Sequence, residues 1–179
     1  MAMRRDRNPG GPPLDAEALE RTALFYAGRY ATTRAKLKAY LVRKLRERGW
    51  AGPGAPHVEE LVERMAGLGY VDDRAFASAR AASLSRRGYG PRRIDVALRT
   101  AGIAEADWGD ARAIASDGAW SAALRFAERR KLGPFAASPQ APQAREKAFA
   151  AMLRAGHLPI IARKILAARP GEIPDADSC

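Results

Sequence analysis

Residues 69–103 read GYVDDRAFASARAASLSRRGYGPRRIDVALRTAGI, and the reading of this stretch decides the fold. It divides into two short helical segments about a basic joint, Arg86-Arg87-Gly88-Tyr89-Gly90-Pro91-Arg92-Arg93. Asp72 and Asp73 open the first segment. A short carboxylate at an N-cap accepts free backbone N–H groups and complements the positive end of the helix dipole. Phe76, Ala77, Ala81 and Leu84 then recur at helical spacing. Gly88 stands where a left-handed residue closes a helix, and Pro91 in a first turn, where its missing N–H costs nothing. Ile94, Ala97, Leu98 and Ala101 give the second segment its apolar face, and Gly102 ends it.

The same grammar runs outward in both directions. Residues 1–13 are rich in Arg, Gly and Pro and are expected to be a disordered tail. Leu19, Ala23, Leu24 and Ala27 share a helical face before Gly28. Thr32 or Thr33 can cap the next helix, which carries Leu37, Leu41 and Leu45 on one stripe, stops at Gly49 and is followed by the break Gly52-Pro53-Gly54. Val58, Leu61, Val62, Met65 and Leu68 form the face of a third helix, closed by Gly69. Beyond Ile103 the pattern predicts weak helix over 105–117, a stronger one over 120–132 with Leu124, Ala127 and Lys131 on one face, and a Pro-rich loop over 133–143. Two further helices follow at 144–155 and 160–168, then a loose tail from 170. No alternating run predicts a strand.

One device recurs: an apolar residue lies four before a glycine, and an aromatic, His or Ile follows that glycine. It is found at Leu45/Gly49-Trp50, Met65/Gly69-Tyr70, Leu84/Gly88-Tyr89, Leu98/Gly102-Ile103 and Met152/Gly156-His157. In a Schellman ending the residue after the left-handed glycine packs on the residue four before that glycine. Five such endings predict helices stopped at fixed angles. Leu41, Leu45 and Gly49 align with Ile94, Leu98 and Gly102, and Gly88-Tyr89-Gly90-Pro91 aligns with Gly156-His157-Leu158-Pro159. The expected fold is all-α, an elongated array of three tandem three-helix repeats with helix-turn-helix-like units. Its expected boundaries are 14–52, 53–103 and 104–169, the last containing the 133–143 loop.

The 179 residues suffice for one or two domains, and a hydrophobic content of 47%, much of it alanine, suits closely packed helices. A net charge of +11 favours a polyanionic partner, with nucleic acid ahead of a membrane surface or an acidic protein. The single cysteine, Cys179, is the last residue, so no internal disulfide is expected, and a reducing cytoplasm is the expected setting. The N-terminal arginines precede no apolar segment, and no apolar run approaches a membrane span.

Catalytic and metal chemistry find little support. His57 and His157 lie far apart and read as capping or packing groups. Gly88-Tyr89-Gly90 follows no strand and lacks the other positions of a phosphate loop. Asp72-Asp73 could be imagined as an acid–base or metal pair, but adjacent acids at a helix start read first as caps. No cofactor is expected. The cations are more informative. At helix C-termini they complement the dipole, at about 0.3–1 kcal/mol each, which accounts for Arg46, Arg48, Arg86, Arg87, Arg130 and Lys131. It does not account for Arg92 and Arg93 in a first turn, nor for Arg34 and Lys36 at the start of another helix. Guanidinium groups suit phosphates and carboxylates bidentately, so a binding role is expected there. Tyr70 and Tyr89 can stack on bases or, as the pattern favours, close helix endings.

Residues 69–77, 86–90 and 94–103 resemble the central signature of the RecX family of recombination regulators. Residues 33–49 resemble that family's first repeat and 144–166 its last, where Ala155-Gly156-His157 stands in place of the usual Arg-Gly-aromatic. The resemblance implies three tandem three-helix repeats and no enzymatic activity. It implies binding to the RecA recombinase filament on DNA, usually inhibiting its ATP hydrolysis and strand exchange, within DNA repair and the SOS response. Weaker direct binding to single- and double-stranded DNA is also implied, and a cytoplasmic monomer is expected. The expected binding face comprises Arg34, Lys36, Arg43, Lys44, Arg86, Arg87, Arg92, Arg93, Arg129 and Arg130. Gly49, Gly69, Tyr70, Asp72, Asp73, Phe76, Gly88, Tyr89 and Gly102 form the structural signature. Two alternatives stand beside it: a stand-alone DNA-binding protein, and a helical scaffold for an acidic protein.

Overall fold

A computed structural model describes residues 11–176. Among them the regular structure is nine α-helices and two single 3₁₀ turns, with no strand beyond an isolated bridge between Leu14 and Trp50. The helices are α1 (Ala16–Arg29), α2 (Arg34–Arg48), α3 (Val58–Gly67), α4 (Asp73–Arg86), α5 (Pro91–Thr100), α6 (Gly109–Asp117), α7 (Ala119–Arg130), α8 (Pro142–Arg154) and α9 (Pro159–Ala167). The fold is an all-α helical repeat. None of these helices is long and apolar enough to cross a membrane. The chain divides into two compact units, Met1–Phe76 with Ala101–Ile103, and Ala77–Thr100 with Ala104–Cys179.

In the first unit, α1, α2 and α3 bury one core of Leu19, Ala23, Leu37, Leu41, Val58, Leu61, Val62 and Met65, joined by Leu14 and Val71. The boundary expected between residues 52 and 53 therefore falls between α2 and α3, two helices whose apolar faces meet. Leu68, expected on the α3 face, is instead exposed, because it lies at the C-cap, past the last helical turn. Gly28 does not stop α1, which runs on to Arg29. Of the two threonines offered as the α2 cap, Thr33 does the work: its hydroxyl accepts the Lys36 N–H at 3.2 Å and donates to the Ala101 carbonyl at 2.8 Å. Residues 1–10 of the expected N-terminal tail lie outside the described residues. Residues 12–14, however, are fastened, with the Pro12 carbonyl accepting from Arg48 Nε and the Leu14 N–H donating to the Gly49 carbonyl.

In the second unit, α7, α8 and α9 enclose Ala123, Phe126, Ala127, Ala148, Met152, Ala162, Ile165 and Leu166. The α7 helix stops at Arg130 rather than 132, because Lys131 turns left-handed at φ 54°. The Pro-rich loop holds a 3₁₀ turn, Gly133–Phe135, with Gly133 and Pro134 buried. The tail expected to be loose from residue 170 is pinned where the Gly171 N–H donates to the Pro134 carbonyl at 2.8 Å and Lys164 reaches the Ala176 carbonyl at 3.0 Å. Residues 177–179, with Cys179, lie outside the described residues.

At three of the expected helix endings the closing hydrogen bond is in place. Tyr70, Tyr89 and His157 each donate N–H to the carbonyl five residues back, on Met65, Leu84 and Met152, at 3.0–3.1 Å. Gly102 is left-handed as expected, at φ 72°. Gly49 differs: its ψ of 173° sends the chain into the bridge with Leu14 rather than into a Schellman turn. A further ending of the same kind was hidden in the sequence, since Leu132 N–H donates to the Ala127 carbonyl across left-handed Lys131.

Candidate functional site

The two joints that the sequence aligns, 88–91 and 156–159, lie against each other inside the second unit. Gly90 N–H donates to the Ala155 carbonyl at 2.9 Å and Arg92 N–H to the Gly156 carbonyl at 3.1 Å. Free donors at the start of α5 thus meet free acceptors at the end of α8, satisfying two groups that helix ends leave open. The approach is backbone on backbone. A Cβ on Gly90 would fall 2.3 Å from the Gly156 oxygen, and one on Gly156 would fall 2.3 Å from the Arg93 nitrogen.

Four helix ends surround one open groove of about 660 Å³. Arg87, just past α4, Arg93, in the first turn of α5, Arg129 and Arg130, at the end of α7, and Arg154, ending α8, line it together with Tyr89, Phe126, Ala151 and Ala155. No carboxylate belongs to the lining. Among the described residues none of the five arginines forms an ion pair. Arg129 donates instead to the Arg87 carbonyl at 2.8 Å, which fixes the end of α7 to the end of α4. The rings are screened by cations: the Arg87 guanidinium lies 5.6 Å from the Tyr89 centroid, and those of Arg129 and Arg130 lie 5.7 Å from Phe126.

His157 packs edge-on against Phe126, ring centroids 5.2 Å apart, and is 1% exposed. Neither ring nitrogen has a hydrogen-bond partner. Burial lowers its pKa to about 4, and the nearby Arg129 charge acts in the same direction; the Gly88 backbone opposes both without forming an aligned hydrogen bond. Neutral His157 therefore serves as an aromatic filler, in the place where the resemblance led one to expect an aromatic residue.

Of the ten residues expected to form a binding face, the groove gathers four: Arg87, Arg93, Arg129 and Arg130. Arg86 and Arg92 are exposed nearby in the chain but do not line it. Arg154, which with Arg163 and Lys164 makes a basic cluster in the sequence, is the lining arginine left out of the expected face. Its signal was present, because the 68-residue register that places Gly156 under Gly88 also places Arg154 under Arg86.

The other four belong to the first unit and have local partners. Asp73, 4% exposed, accepts the Arg34 backbone N–H at 2.9 Å, so it caps α2 while Asp72 caps α4 through the Ala75 N–H at 2.9 Å. The Arg34 guanidinium lies 3.9 Å from Asp73 and 3.5 Å from Glu63. Lys36 sits 4.6 Å from the centroid of Phe76. Lys44 pairs with Glu47 at 2.7 Å and Arg43 with the same carboxylate at 3.8 Å, and these cations hold Glu47 below the ordinary carboxylate range. The unfavourable first-turn placement of Arg34 thus has a structural explanation that Arg93 lacks. Tyr70 is exposed and Tyr89 half-buried, and the backbone N–H of each closes a helix ending on the carbonyl five residues back. Among the described residues no group of His, Cys, Asp and Glu could hold a metal ion.

Comparison with known proteins places this architecture. Residues 72–111, from the α4 cap into α6, match the family model described as RecX, second three-helix domain. The regulatory protein RecX of Myxococcus xanthus (strain DK1622) is 32% identical over 178 residues, covering 93% of this chain and 94% of the relative. Among solved structures, RecX from Lactobacillus salivarius is similar with a TM-score of 0.61 at 18% identity, over 84% of this chain and 93% of that one. A crystal structure of regulatory protein RecX is similar with a TM-score of 0.57 at 21% identity, over 84% of this chain and 72% of that one. The helical repeat, its capped joints and the match over nearly the whole length lead to one assignment: the chain belongs to the RecX family of regulatory proteins.

Proposed function

We propose that this protein regulates homologous recombination and DNA repair by binding the filament that the RecA recombinase forms on DNA, restraining its ATP hydrolysis and strand exchange. It acts by binding, without catalysis of its own, as a cytoplasmic monomer. In this reading the tandem helical repeats present the cations to the filament.

The observation that carries the reading is the groove of five unpaired arginines, in a chain whose family assignment is regulatory. Gathering like charges without counterions raises the energy of the free protein, and a polyanionic partner removes that cost. Both faces of such a filament offer one, acidic protein surface and DNA phosphate.

The test is DNA-dependent ATP hydrolysis by the cognate recombinase, with substoichiometric amounts of this protein added. Hydrolysis is expected to fall, and to fall less with Arg92→Glu/Arg93→Glu. Unchanged hydrolysis, strand exchange and filament lifetime with the parent protein overturn the proposal.

A further inference from the structure

We propose that Ser138 is a phosphorylation site, and that Arg145 and Arg169 form the receptor that holds its phosphoryl group. The site lies in the second unit and shares no residue with the arginine groove.

The loop between α7 and α8 presents the hydroxyl. After the turn Gly133–Phe135, residues 136–141 run into Pro142 at the start of α8. Ser138 is exposed there, and its side chain has no hydrogen-bond partner among the described residues. Pro139 disfavours the helical region for the residue before it, so the hydroxyl stands on irregular backbone, open to a modifying enzyme.

Beside Ser138 is a recess of about 180 Å³, bounded by this loop, by α8 and by the end of α9. A water molecule's share of liquid volume is about 30 Å³, so the recess has room for a phosphoryl group. Arg145 from α8 and Arg169, just past α9, both line it. No carboxylate does: Glu146 and Glu172, the nearest acids in sequence, stand outside the lining. Among the described residues neither arginine side chain has an ion-pair partner.

Arg169 has a structural explanation, since a cation past a helix C-terminus complements the dipole. Arg145 has none, because it lies near the start of α8, where the dipole disfavours a cation. An uncharged serine leaves both guanidinium groups unanswered. A phosphoserine answers them, with about −1.5 to −2 charge at neutral pH and three acceptor oxygens that guanidinium groups hold in pairs.

The step is phosphoryl transfer from a nucleoside triphosphate, carried out by a separate kinase. The bond from Ser138 Oγ to the γ-phosphorus forms as the bond from that phosphorus to its bridging oxygen breaks. Nucleoside diphosphate leaves, and the hydroxyl proton passes to the kinase's base. The attached group then fastens the loop across the start of α8 and the end of α9.

Attachment matters, because Leu166, Ala167 and Ala168 also line the recess and the carbonyl end of α9 repels an anion. A free phosphate meets that repulsion and loses its translational freedom as well. A phosphate on Ser138 is already held there at the high effective concentration of a short tether.

The experiment compares the full-length parent, the protein carrying phosphoserine installed at position 138 during translation, and the latter with Arg145→Gln/Arg169→Gln. In a phosphoserine peptide spanning 133–143, the phosphate is expected to titrate near pH 6 by phosphorus NMR. In the protein the midpoint is expected near pH 5, about a tenfold weaker hold on the proton, and the double variant is expected to restore the peptide value. Phosphorylation is expected to raise the melting temperature by about 2–4 °C in the parent background and not in the double variant. Both arginines are exposed, so the unphosphorylated double variant is expected to melt like the parent.

A midpoint equal to that of the peptide, or one unmoved by loss of both arginines, overturns the receptor. Inorganic phosphate in millimolar excess that stabilises the parent as much as the attached group assigns the recess to a free anion and also overturns it. Ser138-Pro139 is the one Ser-Pro or Thr-Pro pair of the sequence, so a proline-directed kinase with ATP probes access to the hydroxyl. It is expected to label the parent and not Ser138→Ala. A parent left unlabelled while the 133–143 peptide is labelled shows a hydroxyl closed to modification and overturns the site.

Discussion

In the first unit four cations of α2 stand beside carboxylates, while among the described residues the groove arginines of the second unit form no ion pair. Arg34 lies near Asp73 and Glu63, Lys38 pairs with Glu59, Arg43 and Lys44 share Glu47, and Arg64 reaches Glu20 at 2.8 Å. The second unit also knows how to pair, since Arg99 and Arg112 converge on Glu105 at 3.9 and 3.2 Å. Among the described residues its groove arginines have no such partner. Exposed pairs contribute only about 0–1 kcal/mol each, so the lesson concerns binding more than stability. A paired cation has its field largely cancelled at the surface, and an unpaired cluster keeps its field for a ligand.

The backbone joint beneath the groove is where the contrast can be broken most forcefully. Gly156→Ala demands a side chain at φ +90° with its Cβ 2.3 Å from the Arg93 nitrogen, whereas Gly69→Ala in the first unit meets open space at φ +78°. Left-handed strain costs about 1–2 kcal/mol and overpacking about 1–3 kcal/mol more, so Gly156→Ala is expected to lose about 4 kcal/mol and Gly69→Ala no more than about 2. Denaturant melts of the two variants measure this. Equal losses would mean that the joints do not bear on one another as described.

Asp73→Ala attacks the paired side of the comparison. It leaves the Arg34 N–H and guanidinium without a buried carboxylate, and a loss of about 3 kcal/mol is expected. Asp73→Asn keeps an acceptor for the N–H and should recover most of the loss attributable to the cap. If both substitutions cost equally, the charge rather than the cap is what matters, and the account of Arg34 as a structurally paired residue is strengthened at the expense of the cap.

The smallest effect sharpens the unpaired side. His157 has a folded-state pKa of about 4 against an ordinary 6.5, so the unfolded chain binds more protons between those values. Stability from this group is fully present above pH 6.5 and is lost as pH falls toward 4. Between pH 7 and pH 5 the loss is about 2 kcal/mol. His157→Phe keeps a ring against Phe126 and is expected to flatten that slope. A parent protein equally stable at pH 5 and pH 7 would contradict a neutral, buried His157.

Much of this was legible along the chain. The Met65/Gly69-Tyr70, Leu84/Gly88-Tyr89 and Met152/Gly156-His157 endings were visible because a Schellman turn is a local event within six residues, and all three form. Gly49 misled because its partner, Leu14, is 35 residues away and draws the chain into a bridge instead. The ending at Lys131 was invisible because a left-handed lysine carries no sequence mark. The residues expected to bind fared unevenly for the same reason. Arg93 was singled out by a local conflict with the helix dipole, and it does line the groove. Arg34 showed the same conflict, which a carboxylate 39 positions on resolves.

The sequence by itself determined the helices, most of their stops and the register that relates 88–91 to 156–159, because capping, left-handed glycines and apolar spacing act over a turn or two. Only the tertiary structure decided which cations stand beside a carboxylate and which converge without one. Coulombic pairing depends on distance through space, and the chain brings Asp73 to Arg34, and Arg154 to Arg93, only once it has folded.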